Sequence, residues 1–261
     1  MDLELDGNTA LVTASTSGLG LASAKALAAE GANVAICGRD TDRLDGARET
    51  VAGVGTGDVL AVEADITNAD DIERFVDETV AEFGGLDHLV TSAGGPPSGT
   101  FLDIPEDEWY AAYDLLVMSV VRALSAAHPH LEASDAGTWV AITSTSVSEP
   151  IEGLVLSNAV RRGVTGVVDT VAREFAPEIR ANAVLPGSHE TPRIEELVEA
   201  GVERGEYDSY EEGLADWSDG IPLERVGDPR ELGDAVTFLS SARASFITGT
   251  ALPIDGGTLR G

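Results

Sequence analysis

The sequence predicts an α/β protein, a single domain spanning residues 1–261, built on a doubly wound parallel sheet of about seven strands with helices on both faces. Three observations predict it. Short apolar runs alternate with longer segments of helical period, which is how strands joined by crossover helices read. A glycine-bearing turn, Thr13 to Gly20, leads from the first apolar run straight into the first helical segment. No repeat, linker or low-complexity tract divides the 261 residues, so one folded unit is expected.

Strands are expected at 9–13, 33–37, 59–63, 88–90, 138–143, 180–184 and 251–254, each a short apolar run. The stretch LGLASAKALAAEG after the first of these is helical and ends at Gly31, a glycine C-cap. Residues 41–54 and 70–83 form the next two helices. Two longer ones follow at about 107–131 and 153–175. The second carries Ala159, Val160, Val164, Val167, Val168, Val171 and Phe175 at core spacing, while Gly163 and Gly166 let another helix approach closely. Residues 188–220 are acidic and weakly patterned, which suits a mobile lid over a substrate site.

The chain carries 46 acidic against 16 basic side chains, a formal charge of −30, and Lys25 is its only lysine. With 43% hydrophobic residues this acidity does not signal disorder. The field around such a molecule repels phosphate backbones and anionic membranes, so neither nucleic acid nor a membrane is expected as a partner. Acids spread along the whole chain suit a surface adapted to molar salt. Cys37 is the single cysteine, which excludes an intrachain disulfide and a four-cysteine zinc site, and no metal site is expected. The start MDLELDGNTA is acidic where a signal peptide is basic, so a cytoplasmic protein is expected.

Thr13-Ala14-Ser15-Thr16-Ser17-Gly18-Leu19-Gly20 lies between a strand and a helix, where glycines let backbone approach a pyrophosphate held at the helix N-terminus. A second strand ending at Gly38-Arg39 follows about twenty residues on. In this context the whole chain resembles the short-chain dehydrogenase/reductase family, and within it the 3-oxoacyl carrier-protein reductase-like branch. Thr13 to Gly20 is similar to the family's T-G-x-x-x-G-x-G, Asp65-Ile66 follows the third strand, and Ser92-Ala93-Gly94 stands for its N-A-G. Ser144 ends the fifth strand as the family's catalytic serine does, Pro186-Gly187 matches the P-G after the sixth, and Ile247-Thr248-Gly249 with Asp255-Gly256-Gly257 matches the C-terminal signature.

The resemblance implies a Rossmann-like fold, a homotetramer, a small-molecule substrate and a nicotinamide cofactor. Thr13, Ser15, Ser17, Gly18, Leu19, Gly20, Arg39, Asp65, Ile66, Ala93, Gly94, Arg161, Pro186 and Gly187 are its implied cofactor-binding residues. NADP is expected over NAD: Gly38 stands where NAD users place an acid, and Arg39 next to it can pair with a 2′-phosphate. Ser17 replaces the second basic residue of many NADP users, so NAD remains a possible cofactor. The family's first glycine is Ala14 here, expected at negative φ with the loop intact.

The implied catalytic set is the more altered part. The family's tyrosine and lysine positions, counted thirteen and then four residues on from Ser144, fall on Ser157 and Arg161, and its asparagine position falls on Leu116. Ser144, Ser157 and Arg161 are therefore the candidate catalytic residues. An aliphatic hydroxyl ionises less readily than a phenol, so Ser157 does not inherit the tyrosine's proton transfer. A water beside Ser157 is the first alternative source of the proton, with Ser144 and His189 the others. Ser146, Ser148 and Arg162 are expected to be structural, and His88, His128 and His130 to be ordinary solvated histidines.

The function expected is NADP-preferring reduction of a carbonyl or oxidation of an alcohol on a small or acyl-type substrate. A nucleotide-binding protein without chemistry and a non-redox enzyme of dehalogenase or lyase type are the alternatives. The charge gives a first test. Lowering KCl from molar to about 0.01 M lengthens the screening distance from about 3 Å to about 30 Å, so carboxylates repel across the surface and the thermal midpoint falls. A midpoint independent of KCl over that range contradicts the salt-adapted reading.

Overall fold

A computed structural model describes residues 2–259. Seven strands among them form one all-parallel sheet in the order β3-β2-β1-β4-β5-β6-β7. These are β1 (Thr9–Val12), β2 (Asn33–Gly38), β3 (Val59–Glu63), β4 (His88–Thr91), β5 (Thr138–Ile142), β6 (Arg180–Pro186) and β7 (Ala251–Ile254). The strands read as continuous apolar runs because both faces are covered. In β2, Val34 and Ile36 join one core cluster while Ala35 and Cys37 join the other, and β5 divides Val140 and Ile142 from Trp139 and Ala141 in the same way.

Helices α1 (Gly18–Ala29), α2 (Thr41–Ala52) and α9 (Pro229–Ser240) supply one core through Leu27, Leu44 and Val236. Helices α3 (Ala69–Phe83), α5 (Ser119–Ala133) and α6 (Val155–Glu174) supply the other through Phe75, Leu124 and Val168. The expected fourth helix is one rod, Glu106–Ala133, made of α4 (Glu106–Tyr113), a π-helical turn at Asp114–Met118, and α5. By length and composition this rod could cross a membrane, but Val120, Ala123, Leu124, Ala127 and Leu131 are spent on the core.

The expected α6 stripe holds except at Ala159: Val164, Val168 and Val171 are in the core, and Val160, Val167 and Phe175 pack against it. Leu156, Ser157, Arg161, Val164, Val168 and Val171 are its buried face, whereas Ala159 is exposed. Gly163 does admit the π turn, since a Cβ there would meet Val117 at 3.3 Å, but Gly166 faces open space. Residues 188–220, expected to be weakly patterned, hold two helices, α7 (Pro192–Glu203) and α8 (Tyr210–Trp217). Apolar residues are few there because each helix buries only one narrow side, Ile194 and Val198 in α7.

His88 is not solvated. It is fully buried at the start of β4, where Asn8 Nδ2 donates to its Nε2 at 2.9 Å and its Nδ1 donates to Thr138 Oγ1 at 2.8 Å. His128 also departs from expectation, half-buried edge-on against Phe175. Burial pushes the His88 imidazole down to about 4 from 6.5. The folded protein therefore refuses a proton that the unfolded chain accepts. This contribution to stability is complete above pH 6.5 and drains as pH falls from 6.5 towards about 4. Denaturant titrations of wild type and His88→Gln across that window should show the wild type losing up to about 1.4 kcal/mol more per pH unit. Parallel slopes contradict the assignment.

Candidate active site at the carboxyl ends of the strands

The strand order reverses between β1 and β4, and ligands of doubly wound sheets bind in the crevice outside the carboxyl ends at such a point. Two hydroxyls build the crevice wall. Thr13 Oγ1 donates to Ser92 O at 2.7 Å and accepts from Ser92 N at 2.9 Å, fastening β1 to the loop after β4. Ser15 Oγ donates to Val12 O at 2.7 Å and accepts from Cys37 N at 3.0 Å, fastening the turn to β2. Thr13 and Ser15 are thus buried behind the crevice and line neither of its cavities.

Ala14 departs from expectation, since its φ is +46° rather than negative. The left-handed conformation costs an alanine roughly 1–2 kcal/mol. It persists because Ser15 is held on both sides, its N donating to Cys37 O at 3.1 Å and its hydroxyl accepting from Cys37 N.

The turn opens onto a groove of 500 Å³ that meets Ser17, Gly18, Leu19 and Gly20, then Arg39, Asp65, Ile66, Ala93, Gly94 and Arg161, all ten expected. Its chemistry fits a dinucleotide. The first turn of α1 has no acid, and its N-cap Ser17 makes no capping bond, so the amides there are left for an anion. At the far end Arg39 Nη1 lies 3.8 Å from Asp65 Oδ2. Burial opposes the Asp65 charge, but two hydrogen bonds from Thr67 and the Arg39 guanidinium hold its carboxyl below the usual value.

Arg43 was missed. It lines the groove and donates to Ser17 Oγ at 3.2 Å, so it stands in space where Ser17 had removed a cation from the sequence motif. The available signal was its place in the first turn of α2, where a cation opposes the helix dipole and asks for a reason. A more open depression of 1320 Å³ behind the turn shares Ser17, Gly18 and Arg43, but its Arg225 and Arg230 are already paired with Glu231 and Asp228.

A second cavity, of 220 Å³, is lined by Ser98, Ser144, Ser157, Arg161, Pro186, Gly187 and His189 among others. Ser144 Oγ accepts from Ser146 N at 3.1 Å. Ser146 is fully buried and lines neither cavity, a structural residue as expected, and its Oγ supports Ser157 Oγ from behind at 3.0 Å. Leu116 sits in the core of the π turn and lines neither cavity. His189 Nδ1 donates to Gly187 O at 3.2 Å, and burial, the leading cause, lowers its pKa. The neutral ring thereby keeps a lone pair on Nε2 and has no second N–H, so it can accept a proton there and cannot give one.

Arg161 lines both cavities and is 9% exposed. Its Nη1 donates to Thr143 O at 3.3 Å, its Nη2 donates to Gly94 O, and its Nε has no partner. Burial lowers its pKa to about 10, so the guanidinium stays charged at neutral pH. The turn itself is testable at Gly20, where a Cβ would stand 2.6 Å from Ala14 O and 3.2 Å from Ser15 Cα. Gly20→Ala should cost about 1–3 kcal/mol of stability and weaken nucleotide binding together. Unchanged nucleotide affinity by fluorescence titration contradicts this role of the turn.

Residues 13–258 match a family model described as enoyl-(acyl carrier protein) reductase. Dehydrogenase/reductase SDR family member 4 of Homo sapiens is 32% identical over 256 residues, covering 97% of this chain and 88% of its own. The crystal structure of L-sorbose reductase from Gluconobacter frateurii, complexed with NADPH and L-sorbose, superposes with a TM-score of 0.95 at 29% identity over 100% of both chains. The NADPH-bound short-chain oxidoreductase of Pseudomonas aeruginosa PAO1, which contains an atypical catalytic center, gives 0.89 at 30% identity over 97% of each chain. With fold, motif order and full-length relatives in agreement, the chain belongs to the short-chain dehydrogenase/reductase family of NAD(P)-dependent oxidoreductases.

Proposed function

We propose that the protein is an NADP-preferring oxidoreductase that interconverts a carbonyl and an alcohol on a small substrate through an altered catalytic set, Ser144, Ser157 and Arg161. One observation carries this reading: Arg161 stands at the junction of the dinucleotide-sized groove and the serine-lined pocket. The likeness to an NADPH-bound relative with an atypical catalytic center supports it. NADP preference rests on Arg39 and Arg43, both beside a groove end where Gly38 replaces an acid. We read the protein as cytoplasmic, and as a homotetramer as the family resemblance implies; the exposed Tyr110 and Tyr113 on α4 suit such self-association.

When bound, the nicotinamide supplies or removes a hydride, and the chain's own residues do the rest. The α1 N-terminus would hold the pyrophosphate, and Arg161 would offer a remaining N–H to the nicotinamide ribose. Ser144 donates to the substrate oxygen and stabilises charge building there. Ser157, tied to Ser146, positions a water that passes the proton to or from that oxygen, because neither Arg161 nor His189 has one to give. A catalytically silent nucleotide-binding protein is the second reading, favoured by the fact that no lysine or tyrosine lines the pocket.

Steady-state NADPH oxidation against aldehydes, ketones and acyl thioesters in molar KCl separates the two. Ser144→Ala should lower kcat by about 10²–10⁴ with NADPH affinity kept, Arg161→Ala should weaken both, and Ser157→Ala should be mildest. Arg39→Ala and Arg43→Ala should each weaken NADPH while sparing NADH. Wild type that binds NADPH and turns over nothing, while Ser157→Tyr with Arg161→Lys does turn over, establishes the silent reading.

A further inference from the structure

We infer that the substrate of this site carries an anionic group, a carboxylate on a small oxo or hydroxy acid being the simplest form, and that Arg161 receives it. The chemistry of turnover rests on the oxidoreductase reading, whereas the anion subsite does not.

Acidic side chains are unevenly distributed over the molecule. Of 261 residues 46 are acidic, yet none of the residues lining the 220 Å³ pocket is Asp or Glu. Its polar groups are hydroxyls, His189 and one guanidinium, set among apolar Pro96, Leu154 and Ile194. A molecule that puts carboxylates almost everywhere has kept them out of this pocket.

Arg161 itself is the second observation. Seven other arginines, Arg39, Arg74, Arg122, Arg204, Arg225, Arg230 and Arg243, lie within ion-pair distance of a carboxylate, and among the described residues the others without such a partner are exposed or, for Arg180 on its main-chain carbonyls, half-buried. Arg161, nine-tenths buried, has none among the described residues, and burial is the one influence acting on its pKa. Two main-chain carbonyls take one N–H each from Nη1 and Nη2, and Nε–H is orphaned. Neutral carbonyls satisfy hydrogen bonds without cancelling a charge, and an uncompensated buried cation is costly.

Ribose hydroxyls on the groove side have the same shortcoming: they accept hydrogen bonds and bring no charge. The pocket side is where a counter-ion fits, because there Arg161 shares a small volume with Ser98, Ser144 and Ser157 and with no acid. A substrate carboxylate bound at that edge neutralises the guanidinium and presents the adjoining carbonyl to the serines. The volume suits a short acid rather than a long acyl chain.

The test pairs small 2-oxo and 3-oxo acids with their methyl esters and amides at one fixed KCl concentration. Turnover of NADPH and calorimetric binding to the NADP⁺ complex are both read, with wild type, Arg161→Lys and Arg161→Gln. The acids should exceed their neutral partners in kcat/KM by at least about tenfold in wild type, keep part of that margin in Arg161→Lys and lose it in Arg161→Gln. Thermal midpoints and NADPH titrations check that the variants are folded and loaded. Neutral partners used as well as the acids, or an acid margin that survives Arg161→Gln, overturns the inference while leaving the oxidoreductase reading intact. Carboxylates that bind in an Arg161-dependent way without any NADPH oxidation uphold the anion subsite and sink the oxidoreductase reading.

Discussion

The Arg161 guanidinium, braced on the carbonyls of Gly94 and Thr143, is the interaction on which the rest of the site depends. Those carbonyls lie just past the ends of two neighbouring strands, β4 and β5, where the ladder no longer supplies partners. A planar fork can reach both at once, and a point-charge ammonium cannot do so with the same geometry. By closing on both loops it also brings α6 and its buried Ser157 against the carboxyl edge of the sheet. Packing of Val164 and Val168 into the core fixes the helix, so the guanidinium is placed by the fold and not by its own flexibility.

Around that brace the crevice is assembled from short hydroxyl links. Thr13 joins β1 to the loop after β4, Ser15 joins the turn to β2, and Trp139 Nε1 donates to Thr91 Oγ1 at 3.0 Å between β5 and β4. The first two links tie neighbouring parallel strands near their carboxyl ends, where side chains must hold position for a ligand, and the third runs from the carboxyl end of β4 to the amino end of β5. Ser146 and Ser157 continue the pattern into the pocket. The cost of this rigidity includes a strained Ala14 and an unpaired guanidinium edge, which is where functional sites tend to depart from local rules.

Much of this was legible because the sheet is buried on both faces: apolar runs such as those of β2 and β5 leave strands little ambiguity. Register did the same for Ser144, Ser157 and Arg161, all of which meet in one pocket. What escaped depends on contacts between distant segments. Arg43 reaches Ser17 across 26 positions, Ser146 meets Ser157 across 11, and His88 is buried between Asn8 and Thr138. Ala14 escaped for another reason, since its expected φ followed from intrinsic strain while its actual one is imposed by Ser15 and Cys37. Helix α9 escaped although its Asp228 and Glu231 form a capping box, because the acids there blend into an acidic background.

On the proposed reading, a site without a phenol and an ammonium in its catalytic register still moves a hydride. The direct measurement uses NADPH carrying deuterium on one face of nicotinamide C4, with mass spectrometry of the product alcohol. One deuterium should appear on the former carbonyl carbon from one labelled face and none from the other. Nucleotide that binds while no product gains deuterium from either face contradicts that reading.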